Sequence, residues 1–175
     1  MNTGLIHLYT GEGKGKTTAA VGLAARAAGS ERRVVFAQLL KGRITGEVAS
    51  LETLGVRVIR SDKDMGFVWE MDKEQKEACR VEQVRLFNEI REIIMNDMKI
   101  DLLVVDEALD VMVLGLIEER MIRDFLEQKP AGLEMVCTGR EAPDWLFEQA
   151  DYVTEMKKIK HPFDRGIEAR EAIEY

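Results

Sequence analysis

Short, largely apolar runs recur along the chain, separated by longer segments in which apolar and polar residues mix. The runs are rich in β-branched residues and cover residues 5–9, 34–37, 56–59, 102–105, 133–137 and 152–154. Apolar runs of this length are typical of strands that are covered on both faces. The pattern therefore predicts a set of short, buried strands.

The segments between the runs have the spacing of helices. From about Asp72 to Asp97 the apolar residues step by three and four positions along one face. Asp72, with Gln75 three residues later, is typical of a capped helix start. A second helix is expected over residues 17–28. Because strands alternate with helices, we expect residues 1–175 to form a single three-layer α/β domain, with a largely parallel sheet and helices on both faces.

A glycine-rich segment, Thr-Gly-Glu-Gly-Lys-Gly-Lys-Thr-Thr at residues 10–18, directly follows the first run. Glycines allow backbone N–H groups to point at phosphate oxygens without interference from a Cβ atom. In such a loop Lys16 reaches the outer phosphates, the Thr17 hydroxyl binds Mg²⁺, and the N-terminus of the next helix attracts the same anion. Thr10 stands where the standard pattern has glycine, so this loop is a variant. The motif predicts a P-loop NTPase-like fold, with candidate nucleotide contacts at Gly11, Glu12, Gly13, Lys14, Gly15, Lys16, Thr17 and Thr18.

An acidic pair, Asp106 and Glu107, ends the fourth run. Carboxylates at the end of a strand downstream of a phosphate loop commonly hold Mg²⁺ or its water shell. Magnesium takes oxygen ligands and keeps several waters, so one carboxylate with Thr17 and phosphate oxygens would suffice. In isolation the pair would more often mark a helix N-terminus. Together with the loop, it predicts a metal site formed by Thr17, Asp106 and Glu107.

Two aromatic residues, Phe67 and Trp69, lie in a loop between the third run and the long helix. Residues two apart in an extended segment point in the same direction, so the pair could line an apolar ligand site. Spacing alone favours the other interpretation, in which the aromatic residues anchor the loop in the core.

Several cations also follow predicted strands or lie near the loop. Arg140 comes after the fifth run, where it could neutralise a phosphate group, or be an ordinary surface arginine. The same two interpretations apply to Arg26 in the first predicted helix, and to Gln38 and Lys41 after the second run.

Composition limits the classes of function. Of the 175 residues, 46% are hydrophobic and 33% are charged, as in an ordinary globular chain, and the formal net charge of −7 argues against general nucleic-acid binding. No apolar run approaches the roughly 20 residues needed to span a membrane. The first strand starts almost at once, with no targeting segment, and the 2 cysteines lack metal-ligand spacing, so we expect a cytoplasmic protein.

Taken together, these motifs resemble the P-loop ATP:corrinoid adenosyltransferases, the cob(I)alamin or cob(I)yrinic acid a,c-diamide adenosyltransferases. The resemblance runs nearly end to end and in the same order. It rests on residues 11–20, 26–29, 38–42, 45–47, 66–70, 105–107, 138–140 and 160–170, and on the final Ile-Glu-Tyr at 173–175. The displaced glycine register at Thr10 is itself a mark of this family.

The resemblance implies that a Co(I) corrinoid attacks the 5′ carbon of ATP and that triphosphate leaves. ATP would lie reversed in the loop, with Lys16 and Arg140 stabilising the leaving group, Mg²⁺ assisting them, and Arg26 contacting ATP. Phe67 and Trp69 would bind the corrinoid and crowd its lower face, so that cobalt loses its axial ligand and becomes easier to reduce. An external flavoprotein would supply electrons, and the enzyme would be a homodimer.

Three departures from the family pattern bear on how the site closes and on its outer contacts. Few residues precede the first strand, the stretch from Lys41 to Gly46 is short, and residues 108–110 read Ala-Leu-Asp. The alternatives to adenosyl transfer are a small-molecule kinase or NTPase, which would release ADP, and a non-catalytic nucleotide sensor, which would show no turnover.

Overall fold

The computed structural model describes residues 3–42, 45–63, 66, 68–97 and 99–174. Its strands are β1 (Ile6–Thr10), β2 (Val34–Gln38), β3 (Arg57–Arg60), β4 (Leu102–Asp106), β5 (Glu134–Thr138) and β6 (Tyr152–Glu155). Its helices are α1 (Lys16–Gly29), α2 (Gly46–Thr53), α3 (Lys73–Asn96), α4 (Ala108–Val113), α5 (Glu119–Gln128) and α6 (Asp144–Gln149), with short 3₁₀ turns at Val68–Glu70 and Pro162–Arg165.

The strands form one six-stranded sheet in the order β3-β2-β4-β5-β1-β6. Every pairing is parallel, which confirms the predicted α/β class. Each observed strand overlaps an apolar run, and several are displaced by one residue toward the C-terminus. Because the sheet is parallel, the carboxyl ends of its strands share one edge, and the loops that follow β4, β5 and β1 are neighbours there.

Alternate side chains of the sheet enter two separate cores. Val34 and Phe36 pack with residues of α1 and α2, whereas Val35 and Ala37 pack with residues of α3 and α5 on the opposite face. Helices therefore cover both faces, as predicted. The long α3 begins at the predicted cap: the Gln75 backbone N–H donates to Asp72 Oδ1 at 2.8 Å, and Gln75 Oε1 accepts from the Asp72 N–H at 2.9 Å.

Both cysteines are buried thiols, Cys79 on α3 and Cys137 on β5. Burial raises the pKa of Cys137 to about 12, so this thiol stays protonated at neutral pH. Within the described residues, no helix combines the length and the apolar character that a membrane crossing requires.

Candidate nucleotide and metal site

The loop after β1 is held between two neighbouring chain segments. Gly11 has a φ of 103°, and its backbone N–H donates to the Arg140 carbonyl at 2.9 Å. The N–H of Gly13 donates to the Met156 carbonyl at 2.6 Å. A Cβ atom at position 13 would lie 2.5 Å from that carbonyl oxygen, so glycine is required for this close approach. The segments after β5 and β6 thus fix the shape of the loop.

Lys16 begins α1, and its side chain folds back over the loop. Its Nζ donates to the carbonyls of Gly11 at 2.6 Å and Gly13 at 2.9 Å. Burial lowers the pKa of Lys16, and the nearby Arg140 charge lowers it further. The ammonium group therefore lies inside the loop, where its charge would stabilise an anion bound by the loop.

Asp106, the last residue of β4, is the centre of the site and is fully buried at 0% exposure. Its Oδ1 accepts from the hydroxyls of Thr17 at 2.9 Å and Thr138 at 2.6 Å. Its Oδ2 accepts from Lys41 Nζ at 2.6 Å. The contact with Thr17 joins the phosphate loop to the acidic pair, so the structure brings together the predicted residues Thr17 and Asp106.

Glu107 is more accessible than Asp106, with 31% of its side chain exposed. It adopts a left-handed backbone with φ 62°, and its N–H donates to the Thr138 hydroxyl at 2.9 Å. Burial raises the pKa of Glu107 to about 7; the charge of Lys41 opposes this rise, and those of Asp106 and Asp110 add to it. A cation that approaches this carboxyl group would therefore stabilise its ionised form.

The donor set suits Mg²⁺. Thr17, Asp106 and Glu107 offer hydroxyl and carboxylate oxygens, the ligand type that magnesium prefers. Among the described residues, no group of three or more His, Cys, Asp or Glu side chains could enclose a metal ion. The protein would thus supply only part of the shell, and phosphate oxygens and water would complete it.

Arg140 lies beside the loop at the surface. Its guanidinium donates to Glu12 Oε2 at 3.0 Å, with both side chains more than half exposed, and its N–H donates to Asp110 Oδ1 at 3.1 Å. Burial raises the pKa of Asp110. Lys14 is exposed, and its Nζ donates to the Ile173 carbonyl at 3.3 Å. Arg140 is therefore close enough to the loop for its long side chain to reach a bound anion.

Two predicted ATP contacts lie on α1 itself. Thr18 is exposed in the first turn. Arg26 is exposed in the last turn, about 15 Å from Lys16 along the helix axis at a rise of about 1.5 Å per residue. The structure does not bring Arg26 to the loop, and its contact with ATP stays a prediction.

The predicted aromatic pair is only partly described. Phe67 lies outside the described residues. Trp69 lies in the 3₁₀ turn at Val68–Glu70, and 73% of it is exposed, so the core-anchor interpretation is wrong for this residue. A small cavity of about 10 Å³ is lined by residues of this segment and its neighbours, including Lys41, Gly66 and Gln83.

Sequence reasoning missed Thr138 and left Lys41 undecided, yet both contact Asp106. Thr138 is the last residue of β5, which pairs with β4, and it is 1% exposed. The sequence did show a hydroxyl residue at the end of an apolar strand. That pattern points to Asp106 only when β4 is known to be the neighbouring strand.

Known proteins resemble this chain over almost its whole length. The family described as ATP:corrinoid adenosyltransferase BtuR/CobO/CobP matches residues 2–175. A corrinoid adenosyltransferase of Pseudomonas aeruginosa is 33% identical over 98% of this chain and 84% of its own length. The corrinoid adenosyltransferase CobA of Salmonella typhimurium is 32% identical over 98% and 86%. Domain III of the Thermotoga maritima replication initiation protein DnaA superposes with a TM-score of 0.44 at 16% identity, over 88% of this chain and 55% of that chain, which is too distant to support an inference.

Proposed function

This chain belongs to the ATP:corrinoid adenosyltransferase family, and we propose that residues 11–18 hold the triphosphate of ATP while Lys16 and Arg140 stabilise it as it leaves. The enzyme transfers the adenosyl group of ATP to a corrinoid. Family membership supports this activity over the kinase or NTPase alternative.

The proposed reaction requires no proton transfer at the reacting carbon. Co(I) of the corrinoid substrate donates an electron pair to the 5′ carbon, a Co–C bond forms, and the C5′–O5′ bond breaks. Triphosphate leaves with the electron pair of that bond, and cobalt becomes formally Co(III). The task of the protein is to orient the two substrates and stabilise the charge on the leaving oxygen. The Lys16 ammonium suits that task, as do the loop N–H groups other than those of Gly11 and Gly13, which donate to neighbouring carbonyls.

We assign the Mg²⁺ site to Thr17, Asp106 and Glu107, with Asp106 also holding Thr17 in place. When bound, the metal ion neutralises part of the charge on triphosphate. The fully buried Asp106 already accepts three hydrogen bonds, whereas Glu107 is partly exposed and has a raised pKa. Direct contact with the metal would therefore stabilise ionised Glu107 more than ionised Asp106.

On the corrinoid side, we propose that Phe67 and Trp69 contact the corrinoid, where their apolar side chains would offer cobalt no replacement for its lower axial ligand. A cobalt ion without that ligand is easier to reduce. We further propose that an external flavoprotein delivers the electron, and that the enzyme works as a cytoplasmic homodimer. The exposure of Trp69 supports a role in contact with a ligand, because a core residue would be buried.

One observation carries the nucleotide side of the proposal: the 2.9 Å hydrogen bond between Thr17 and Asp106, which joins the phosphate loop to the acidic pair. The test is an anaerobic assay with ATP, Mg²⁺ and chemically reduced cob(I)alamin, followed by the corrinoid spectrum and phosphorus NMR. Adenosylated corrinoid with equimolar triphosphate is expected. ADP and phosphate without alkylation of cobalt would contradict the assignment and favour phosphoryl transfer.

A further inference from the structure

Lys41 contacts the carboxylates of the proposed metal site, at positions that a metal ion would otherwise occupy. Its Nζ is 2.6 Å from Asp106 Oδ2 and 3.8 Å from Glu107 Oε1. Only 21% of the lysine side chain is exposed. With Thr17 and Thr138 on the other oxygen, both oxygens of the buried Asp106 already accept hydrogen bonds, so a cation that binds Oδ2 competes with the ammonium group.

Hydrogen bonds on both sides of Lys41 fix the backbone that carries it. Leu40 has a φ of 58°, a left-handed conformation that a branched side chain rarely adopts. Its N–H donates to Oε1 of the buried Gln83 at 3.1 Å, and the Gly42 carbonyl accepts from Arg60 at 2.7 Å. An unfavourable backbone persists only where surrounding contacts maintain it, and such sites cluster at functional positions.

Lys41 forms an ion pair with Asp106 and lies near the second carboxylate, that of Glu107. The ammonium thus supplies one positive charge at the acidic pair, and a second cation would be repelled there as long as no further negative charge is present.

We propose that Lys41 is a built-in counter-ion of Asp106 that keeps divalent metal out of the nucleotide-free site and moves aside when the triphosphate enters. The negative charge of ATP would then attract both the ammonium and the metal, so both could be held at once. This inference rests on the proposed metal site at Thr17, Asp106 and Glu107. Its consequence is that metal binding depends on nucleotide.

The test uses Mn²⁺ as a probe for Mg²⁺, with free Mn²⁺ measured by electron paramagnetic resonance in the absence of ATP and corrinoid. Lys41→Met should bind Mn²⁺ at least about ten-fold more tightly than the unsubstituted protein, because the competing cation is gone. Lys41→Arg, which keeps the charge, should bind as weakly as the unsubstituted protein.

Lys99→Met is the matched control for net charge, since Lys99 is exposed in the turn before β4, at the opposite edge of the sheet. It should leave Mn²⁺ affinity unchanged. A rise in melting temperature with added Mn²⁺ gives a second readout, expected for Lys41→Met and not for Lys41→Arg. Equal or weaker Mn²⁺ binding by folded Lys41→Met and Lys41→Gln would overturn the proposal.

A parallel titration with ATP present separates this inference from the metal assignment. Mn²⁺ should bind the ATP-loaded protein and bind less tightly when Glu107→Gln is introduced. If Glu107→Gln has no effect, the proposed metal site is wrong. If it weakens binding while Lys41→Met is no tighter without nucleotide, only the role of Lys41 is wrong.

Discussion

Two regions of the molecule are organised in opposite ways. One is the edge of the sheet where the carboxyl ends of β1, β4 and β5 meet, called the phosphate edge below, and the other is the segment at residues 61–71. At the phosphate edge, Asp106 and Thr138 are almost completely buried and hydrogen-bonded to each other. In the segment, Trp69 is largely exposed. A site for a charged ligand needs donors and counter-charges fixed in advance, because reorganising them during reaction is costly. A broad apolar ligand can instead be met by side chains that lie at the surface beforehand.

The segment is nonetheless anchored at both ends. Glu82 of α3, 4% exposed, accepts from the Ser61 hydroxyl at 2.9 Å and from Lys63 at 3.3 Å, and it pairs with Arg85. At the other end Met71 is buried, just before the cap of α3. Trp69 is therefore exposed even though both ends of its segment are held.

The largest effect should come from the phosphate edge. Lys16→Ala should lower the rate of adenosyl transfer by roughly a hundred-fold or more, because charge on the leaving triphosphate loses its closest ammonium. The loss should be the same whether Co(I) is generated by a mild protein reductant or supplied chemically. Single-turnover spectra of the corrinoid measure both rates. Lys99→Ala, an exposed lysine at the opposite edge, is the control and should retain full activity.

A second test concerns the buried centre of that edge. Asp106→Asn should destabilise the fold by about 3 kcal/mol, since Lys41 would lose the partner of its ion pair and two hydroxyls would lose their ionic acceptor. Urea unfolding followed by circular dichroism measures this change. Asp124→Asn on α5, where the carboxylate is about half exposed, should leave the midpoint unchanged. A fully stable Asp106→Asn protein would show that the phosphate edge is not built around this carboxylate.

The anchor of the segment should reveal itself in acid. Hydrogen bonds from Arg85, more than those from Ser61 and Lys63, lower the pKa of Glu82 to about 2, against an ordinary value of 4.5. A carboxyl with a lowered pKa in the folded state stabilises the fold above pH 4.5, and this stabilisation is lost as pH falls from 4.5 toward 2.

Glu82→Gln should therefore cost about 2 kcal/mol at pH 7 and reduce the loss of stability between pH 4.5 and 2. Urea unfolding at a series of pH values gives the comparison. Glu77→Gln, which removes an exposed pair with Arg80 on the same helix, should change neither quantity measurably. A Glu82→Gln profile parallel to that of the unsubstituted protein would contradict the assigned role.

The smallest expected effect belongs to the exposed aromatic residue. Trp69→Ala should slow adenosylation roughly ten-fold when Co(II) must be reduced by a mild protein donor, and more so when combined with Phe67→Ala. Much of the rate should return when Co(I) is supplied chemically. Stability should hardly change, because Trp69 is exposed. Phe147→Ala on α6 is the control for loss of a part-exposed aromatic ring. Equal slowing with preformed Co(I) would remove the axial-ligand role.

The sequence predicted the elements better than their contacts. Apolar runs located the strands to within about one residue, and Asp72 with Gln75 located the start of α3, because both signals are local. The contacts of Asp106 are not local. They depend on β4 lying between β2 and β5, an order that side-chain periodicity does not contain, so Thr138 was missed and Lys41 was left undecided until the structure placed them.

Two other residues show where local reasoning falls short. Trp69 is a large aromatic residue of the kind that often anchors a loop in the core, but it lies at the surface. Spacing alone could not show this, because it does not say which face of a loop is covered. Arg26 follows the loop closely in sequence, yet the rise of α1 carries it to the far end of the helix.

The burial of both thiols has a practical consequence for spectroscopy. Cys79 is 1% exposed and Cys137 is 3% exposed, so neither competes for a thiol-reactive dye in the folded protein. A Trp69→Cys variant would carry its new thiol at a position that is 73% exposed in the native chain. A fluorophore could therefore be attached beside the proposed corrinoid surface without first removing the native cysteines, and quenching by the coloured corrin ring would report its arrival in real time.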